Sequence, residues 1–332
     1  MSFKHVLSKF LSGDRKTAIF ALTTQCNCKC IMCNMHKQKP EHISLDDSQR
    51  ILDFLSENRF LTVYFTGGEP TLHPKLTDIV RYADKVGLVT SITTNGTCSK
   101  ETILRLKNAG LYNLSVSLDH WDAELCEKIR GYRGIKTKEE EIITYAKDIG
   151  LRVYALAFLN PFLIRDGVEN LVKHVNLNLG VPFGFCYPTQ CETNSFQLGS
   201  TLSEDELCQH LAKSIEKIFH LKKKRGFKIV NPSAYLEDIL RSYAKRKPNF
   251  YCKGGKDVVY IDWRGDVYPC FLKTKIFNLL NGDKPNFLEK VACNECLINC
   301  FREPSLLPYS LSSPKLFLKE ASCSHSIRDM IF

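Results

Sequence analysis

Four cysteines crowd into eight residues near the start of the chain, Cys26-Asn27-Cys28-Lys29-Cys30-Ile31-Met32-Cys33, and six more follow at 252, 270, 293, 296, 300 and 323. Thiolates at such spacing are ligands for soft metals. Cys26, Cys30 and Cys33 form a CxxxCxxC arrangement that can wrap three corners of a cubane iron–sulfur cluster from one loop, leaving the fourth iron without a protein ligand. An open iron is a place for a substrate or cofactor to bind. Zinc is the competing metal, but it takes four protein ligands or three plus water, and paired CxxC knuckles are its commoner spelling. Ligand logic therefore favours iron–sulfur over zinc in this loop.

The C-terminal cysteines have their own order. Cys252, twelve residues, Gly265, four residues and Cys270 make a CX12GX4C pattern. Residues 258–262 and 266–268 read as two strands around a Trp-Arg-Gly turn. Cys293, Cys296 and Cys300 add thiols at CX2CX3C spacing, so a hairpin presenting two cysteines beside a CxxC can make a four-thiolate cage, with structural zinc as the alternative occupant. The remaining thiols, Cys98, Cys126, Cys186, Cys191 and Cys208, read as packing residues, since free cysteine is commonly buried. Cys126 and Cys191 are the two that could instead project toward an active site as hydrogen-atom donors.

Fifteen cysteines in 332 residues would suit a disulfide framework only in a short secreted chain. A reduced, cytoplasmic, oxygen-sensitive protein is the expectation. The N-terminal residues 1–16 place Phe3, Val6, Leu7, Phe10 and Leu11 at helical spacing among lysines, without the apolar core or cleavage site of a signal peptide. This amphipathic segment is expected to pack against the catalytic domain, with peripheral membrane contact as the alternative. No apolar run approaches the roughly 20 residues of a spanning helix. The net charge of +10 would suit an anionic partner, yet the densest basic run, 222–225, ends an apparent helix and lacks interleaved aromatics. It reads as a solvated helix end, not a nucleic-acid surface.

These residues need elements to position them. β-like segments at 17–22, 61–66, 89–94, 112–118, 151–158 and 181–187 alternate with helical patterns at 46–58, 75–86, 99–109, 137–149, 167–179 and 203–225. Strand followed by helix, repeated, implies a parallel sheet with right-handed crossovers. Chemistry in such sheets gathers at the C-terminal ends of the strands. There the sequence places the cysteine loop, then Gly67-Gly68-Glu69-Pro70, then Thr93-Thr94-Asn95-Gly96, then Ser117-Leu118-Asp119. Read alone, the Gly-Gly-Glu-Pro segment and the Asn-Gly pair could be ordinary tight turns. The division expected is 17–225 for the core and 226–332 for a smaller module, with 304–318 an irregular covering loop.

CxxxCxxC after a first strand, with GGEP after the second, resembles the radical SAM superfamily. The likeness runs over residues 17 to about 190 and more weakly beyond. It implies an incomplete (β/α)6 TIM-like barrel in which Cys26, Cys30 and Cys33 hold a catalytic [4Fe–4S] cluster, and the amino and carboxylate groups of S-adenosylmethionine chelate its open iron. By the same resemblance Gly67, Gly68, Glu69 and Pro70 lie at the methionine amino group, Thr94 and Asn95 at the ribose, and Met32 at the position of the family's adenine contact. Ser117 and Asp119 look like the family's SLDG segment, with His120 replacing its glycine. Arg130, in an R-G-x-x-G stretch, reaches the cofactor carboxylate, which a guanidinium fork suits. Cys28 falls outside the pattern and is expected to be a free thiol. The C-terminal spacing resembles a SPASM/twitch extension and implies one auxiliary [4Fe–4S] cluster held by Cys252, Cys270 and two of Cys293, Cys296 and Cys300. The role of Cys323 stays open.

The expected activity is reductive cleavage of S-adenosylmethionine to a 5′-deoxyadenosyl radical that takes a hydrogen atom from substrate, with a flavodoxin- or ferredoxin-type electron donor as partner. A small molecule, lipid or cofactor precursor is the expected substrate. Modification of a ribosomal peptide is the second enzymatic reading, and a non-catalytic iron–sulfur electron carrier is the reading from another class.

Overall fold

The computed structural model describes residues 3–189, 207–289 and 291–306. Cys191, Cys323 and residues 307–318 of the expected covering loop lie outside them, as does the side chain of Cys208. The described strands form one sheet in the order β6-β5-β4-β3-β2-β1-β7-β8-β9. Its first six are β1 (Lys16–Thr23), β2 (Phe60–Gly67), β3 (Val89–Thr94), β4 (Asn113–Ser117), β5 (Arg152–Phe158) and β6 (Phe183–Cys186), each parallel to the next. The helices on the connections and at the N-terminus are α1 (Phe3–Leu11), α2 (Leu45–Glu57), α3 (Leu76–Lys85), α4 (Lys100–Asn108), α5 (Ala123–Arg130), α6 (Ile135–Asp148), α7 (Pro161–Asp166) and α8 (Val168–Lys173), the last continuing as a wide π turn to Leu179. The strand–helix repeat gives the expected parallel sheet, and since that sheet does not close, the fold is the incomplete TIM-like barrel that the family resemblance implies.

Local chemistry starts these helices. Ser44, Ser99, Asp122 and Asn160 each accept a hydrogen bond from a first-turn backbone N–H, and Pro161 follows Asn160 at the position where a missing N–H costs nothing. The short helices α5 and α7 were not anticipated from periodicity, because one or two turns carry too few apolar repeats to register.

Strand register separates two faces. Phe20, Phe65, Ile92, Leu114 and Val153 are paired in one continuous row, and they share a single core cluster with Ile51, Ile79, Ile103 and Ile142 of the surrounding helices. Neighbouring positions along each strand point to the opposite face. There the rows are Tyr64–Ser91–Asn113 and Thr93–Ser115–Tyr154. The barrel is thus apolar toward its helices and polar toward its interior.

The helix α1 packs as expected: Val6 and Phe10 are buried with Leu61, Val89 and Tyr112, at the starts of β2, β3 and β4 and away from the cysteines. Among the described residues no helix is long and apolar enough to cross a membrane.

The strand–helix pattern does not stop at residue 226. After α9 (Ala212–Lys222), α10 (Ser233–Tyr243) leads to β7 (Val258–Ile261), which pairs parallel with β1 on its free side. β7 is four fully buried residues, too short for an alternating signature. Then β8 (Asp266–Tyr268) and β9 (Phe277–Asn278) turn back antiparallel. The short helix α11 (Asn299–Arg302) is tied to α10 by a buried Arg302–Asp238 ion pair.

Candidate functional site

The loop after β1 is sewn shut at its base. Thr24 donates its hydroxyl to the Lys39 carbonyl (2.7 Å) and accepts from the Glu41 backbone N–H (2.8 Å). Farther out, the N–H groups of Lys29 and Ile31 donate to the carbonyls of Arg130 and Ile129, which docks the cysteine run on the end of α5. Asn95 fastens a third side, donating its amide to Asn27 (2.9 Å) and to the Cys28 sulfur (3.1 Å).

The glycine pair after β2 allows a close approach that no other residue would. A Cβ on Gly67 would stand 2.3 Å from the Thr23 carbonyl oxygen, and one on Gly68 would stand 2.1 Å from that of Gln25. Their space is taken by hydrogen bonds from Gly68 N–H to Thr23 O (2.7 Å) and from Glu69 N–H to Gln25 O (2.8 Å). The GGEP segment therefore lies against the root of the cysteine loop.

Glu69 is buried, and its carboxylate is fully engaged. One oxygen accepts from the Thr71 hydroxyl (2.6 Å), the Thr71 N–H and the Thr94 hydroxyl (2.7 Å), and the other accepts from the Asn95 N–H (2.7 Å). This carboxylate brackets the β2 and β3 loops together. Burial pushes its pKa up, against the pull of those donors. Thr94 also accepts from the Gly96 N–H, so Thr94 and Asn95, like Glu69, hold protein partners.

Cys26, Cys30 and Cys33 are part-exposed, whereas Cys28 is buried. The Cys28 thiol hydrogen-bonds to Cys30 and helps draw that thiol down to about 7; Arg130 adds its charge, with Nη1 3.8 Å from the Cys30 sulfur. Burial pushes Cys26 up to about 12 and Cys33 to about 11, and the neighbouring Cys30 adds to both. Cys28 is displaced upward by its bond to Cys30 and by burial. Met32 is buried with Ile129 and Phe158, and Cys30 and Cys186 pack on the same cluster.

Arg130 joins the loop to the floor of the site. Its Nε lies 2.6 Å from Asp119 Oδ2 and 3.9 Å from Glu139 Oε1, while the other Asp119 oxygen accepts from the Phe158 N–H at 2.7 Å. Ser117 is buried at the end of β4, just before Asp119. Glu139 is fully buried, neither oxygen has a hydrogen-bond partner, and burial raises its pKa well above the carboxylate range. Sequence reading missed this residue, which sits in an unremarkable Lys-Glu-Glu-Glu run. The replacement of glycine by His120 is accommodated by stacking on Trp121 (4.0 Å) and by an Asp122 N–H bond to its ring. Cys126 donates its thiol to the His120 carbonyl and is buried.

The second cysteine group is assembled from three segments. Cys252 and Cys293 form an isolated antiparallel bridge, with Cys252 N–H donating to Cys293 O at 2.8 Å. Burial pushes Cys270 up to about 12 and Cys296 to about 11, and in each case Cys252 and Cys293 add to the shift, so these thiols lie within electrostatic reach of one another. Cys300 has different charged neighbours. After burial, its main influence is Glu303, and Cys186 in turn feels Cys300 and Glu303.

A local device recurs in both groups. Cys26, Cys33, Cys252, Cys270 and Cys296 each accept a hydrogen bond from the backbone N–H two residues on. Such N–H···S bonds favour thiolates and tune iron–sulfur potentials. Three part-exposed thiols on one tethered loop, beside a guanidinium and a glycine-lined approach, fit a cluster with a free corner. Among the described residues, no three His, Cys, Asp or Glu side chains converge as ligands of a single metal ion.

Residues 20–175 match the family model described as the radical SAM superfamily. The chain is 30% identical over 243 residues to the probable GTP 3′,8-cyclase of Saccharolobus islandicus, covering 70% of this chain and 75% of that protein. It is 28% identical over 164 residues to the PqqA peptide cyclase of Rhodopseudomonas palustris, where the match covers 47% of this chain and only 44% of the relative's length. Among solved structures, Streptococcus suis SuiB bound to S-adenosylmethionine has the same fold, with a TM-score of 0.67 at 19% identity over 84% of this chain and 67% of that one.

Proposed function

The chain belongs to the radical SAM superfamily, whose members use a [4Fe–4S] cluster and S-adenosylmethionine, and on that premise we propose an enzyme that takes a hydrogen atom from a small-molecule substrate with the help of an auxiliary cluster. The observation that carries this reading is the tethered loop of Cys26, Cys30 and Cys33 at the C-terminal ends of the barrel strands, docked on Gly67-Gly68 and Arg130. When bound, the cluster and its cofactor supply reductive cleavage to a 5′-deoxyadenosyl radical.

The protein's own residues do the positioning. Cys26, Cys30 and Cys33 hold three irons, and Cys28 stays a buried thiol that anchors the loop through Asn95. Arg130, already polarised between Asp119 and Cys30, is the cation for the cofactor carboxylate. Gly67, Gly68 and Pro70 shape the approach to the methionine end, with Glu69, Thr94 and Asn95 setting the two loops around it. Ser117, Asp119 and Met32, all buried, complete the pocket wall.

For the auxiliary cluster we assign Cys252, Cys270, Cys293 and Cys296, because Cys252 and Cys293 are bridged through their backbones and both act on Cys270 and Cys296, whereas the charged neighbour of Cys300 is Glu303. Residues 226–332 are read as the module that carries it. A small-molecule substrate is favoured by alignment with an enzyme named for acting on GTP over three quarters of its length. The likeness to SuiB and to a peptide cyclase supports peptide modification as the second reading. The free thiols call for a reducing compartment, and a flavodoxin- or ferredoxin-type protein is the electron donor we expect.

The test is anaerobic reconstitution followed by reduction in the presence of S-adenosylmethionine. The expected result is about eight irons per chain, from two cubanes, and 5′-deoxyadenosine well above the Cys30→Ala background. Iron without 5′-deoxyadenosine would make the chain an electron carrier. Zinc alone would remove the reading altogether.

A further inference from the structure

The first cysteine loop has an inner and an outer side. From Asn27 to Met32 exposure alternates residue by residue: Cys28 and Met32 are buried and Cys30 is half-buried, whereas Asn27, Lys29 and Ile31 are exposed. That is the period of an extended chain, whose successive side chains point to opposite sides. The outer side is therefore one residue thick, and Lys29 and Ile31 flank the Cys30 thiol directly along the backbone. Ile31 is 38% exposed although it is a large apolar side chain.

The loop lies flat on the end of α5, which adds to the same surface. The Lys29 and Ile31 N–H groups donate to the Arg130 and Ile129 carbonyls at 3.0 and 2.9 Å. A Cβ on Gly131 would stand 2.6 Å from the Lys29 carbonyl oxygen and 2.9 Å from the Lys29 Cβ. Lys128 and Arg133, both exposed on either side of Gly131 in the chain, therefore border Lys29. Lys128 Nζ lies over the Phe162 ring at 4.7 Å, and Phe162 packs on Met32, Ile129 and Phe158. Charge here has one sign. Residues 24–40 carry Lys29, Lys37 and Lys39 and no acid, and residues 128–138 carry no acid either. Of the two acids of α5, Glu127 is engaged by the Gly134 N–H at 2.7 Å, and Glu124 makes no ion pair with Lys128. Among the described residues Lys29, Lys128 and Arg133 have no acidic partner, whereas exposed cations elsewhere close pairs, such as Arg81 with Asp78 and Lys217 with Glu169.

We propose that Lys29, Ile31, Lys128 and Arg133 form the docking surface of an acidic electron-carrier protein, which delivers its electron through the loop backbone at Cys30. An apolar centre in a charged rim is the build of a transient protein contact, and the rim charges steer a partner of opposite sign. A single exposed apolar side chain is too small an anchor for a membrane surface. One electron leaves the carrier's reduced flavin or iron–sulfur centre and enters the cubane, oxidising the first and reducing the second; no covalent bond forms or breaks. The inference rests on the proposed radical SAM reading and gives its electron donor a place on the molecule.

The experiment measures binding of the reconstituted full chain to an acidic bacterial flavodoxin and an acidic ferredoxin by anaerobic biolayer interferometry, with phosphatidylserine vesicles as the competing anionic surface. At least one carrier should bind. The triple variant Lys29→Glu, Lys128→Glu, Arg133→Glu should lose about tenfold or more in affinity, and raising salt from about 0.05 to about 0.5 M should weaken the wild type similarly. Ile31→Asn should weaken binding several-fold. A control triple variant, Lys223→Glu, Lys224→Glu, Arg225→Glu, makes the same change in net charge beyond the end of α9, where the Lys228 carbonyl accepts from Phe183 N–H at the start of β6, away from the cysteines; it should bind as wild type. Reduction of the cubane by the reduced carrier, followed by bleaching of its absorbance, should slow in the first triple variant, while reduction by dithionite keeps its rate. The idea is overturned if the two triple variants behave alike, if dithionite reduction slows equally, or if vesicles and not the carriers are what the first triple variant ceases to bind. Wild type that cleaves S-adenosylmethionine with dithionite but binds neither carrier sinks only the docking surface; a sample without cubane iron sinks the radical SAM reading and this inference with it.

Discussion

The two cysteine groups differ in how local their thiols are and in what lies beside them. In the first, three thiols lie on one short loop, part-exposed, and one of them is drawn down to about 7 by a neighbouring thiol and a guanidinium. In the second, the thiols come from three segments, Cys252 is buried while Cys270, Cys293 and Cys296 are part-exposed, and burial pushes Cys252, Cys270 and Cys296 upward, as it does Cys26 and Cys33. An arrangement with three local ligands and a nearby cation leaves room for a fourth, foreign ligand. On the proposed assignment, the second group supplies all four corners of its cluster, which leaves no place for a foreign ligand. The contrast shows how one ligand chemistry is turned to different uses by what surrounds it.

The sharpest way to break this contrast is at Cys30. Cys30→Ala should reduce 5′-deoxyadenosine formation at least a thousandfold while the auxiliary iron remains, read by product chromatography beside iron analysis. If half the wild-type rate survived, the open corner would lie elsewhere.

Arg130→Met comes next. Loss of a charged donor should weaken S-adenosylmethionine binding about 10–100-fold, measured by equilibrium dialysis. The same residue sharpens a pH comparison in cluster-free protein. A lowered pKa means that Cys30 deprotonates as pH rises through about 7, whereas Cys26 and Cys33 stay protonated until about 12 and about 11. Iodoacetamide mapped by mass spectrometry should therefore modify Cys30 first, with a midpoint that moves upward in Arg130→Met. Equal labelling of the three thiols at pH 7.5 would contradict the polarisation.

A smaller effect distinguishes the ligands of the second group. Cys296→Ala should lower iron content to about half, and Cys300→Ala should leave it unchanged. The reverse pattern would replace Cys296 with Cys300 in the closed cluster.

The smallest effect lies between the two regions. Glu41, at the base of the first loop, accepts from Trp263 Nε1 at 2.7 Å and from Arg264 at 2.9 Å in the β7–β8 turn. Both partners of the ion pair are solvated, so Glu41→Gln should cost on the order of 0.5 kcal/mol and lower the unfolding midpoint by roughly 1 °C. A drop of many degrees would mean that the contact carries far more of the coupling between the regions than its exposure allows.

Much of the first site was legible because its constraints are local. CxxxCxxC lies on one loop, the glycine pair announces a close backbone approach, and the ends of parallel strands converge by topology. Even so, the engagement of Glu69 by Thr71, Thr94 and Asn95 could not be read from spacing, since its donors sit on two loops. Glu139 gave no signal at all, because a buried acid on a helix looks like any surface acid until the helix is docked.

The amino-acid sequence by itself determined the strand–helix alternation, the thiol-rich loop at the end of the first strand and the presence of a second thiol group, since each follows from near-neighbour spacing. Only the tertiary structure decided which thiols meet. Cys252 reaches Cys293 across forty residues through a backbone bridge, and β7 joins the sheet beside β1. It also decided that the polar residues of β2 to β5 face inward. Register between strands is fixed by long-range hydrogen bonding, and a slip of one residue would turn the whole row toward the helices.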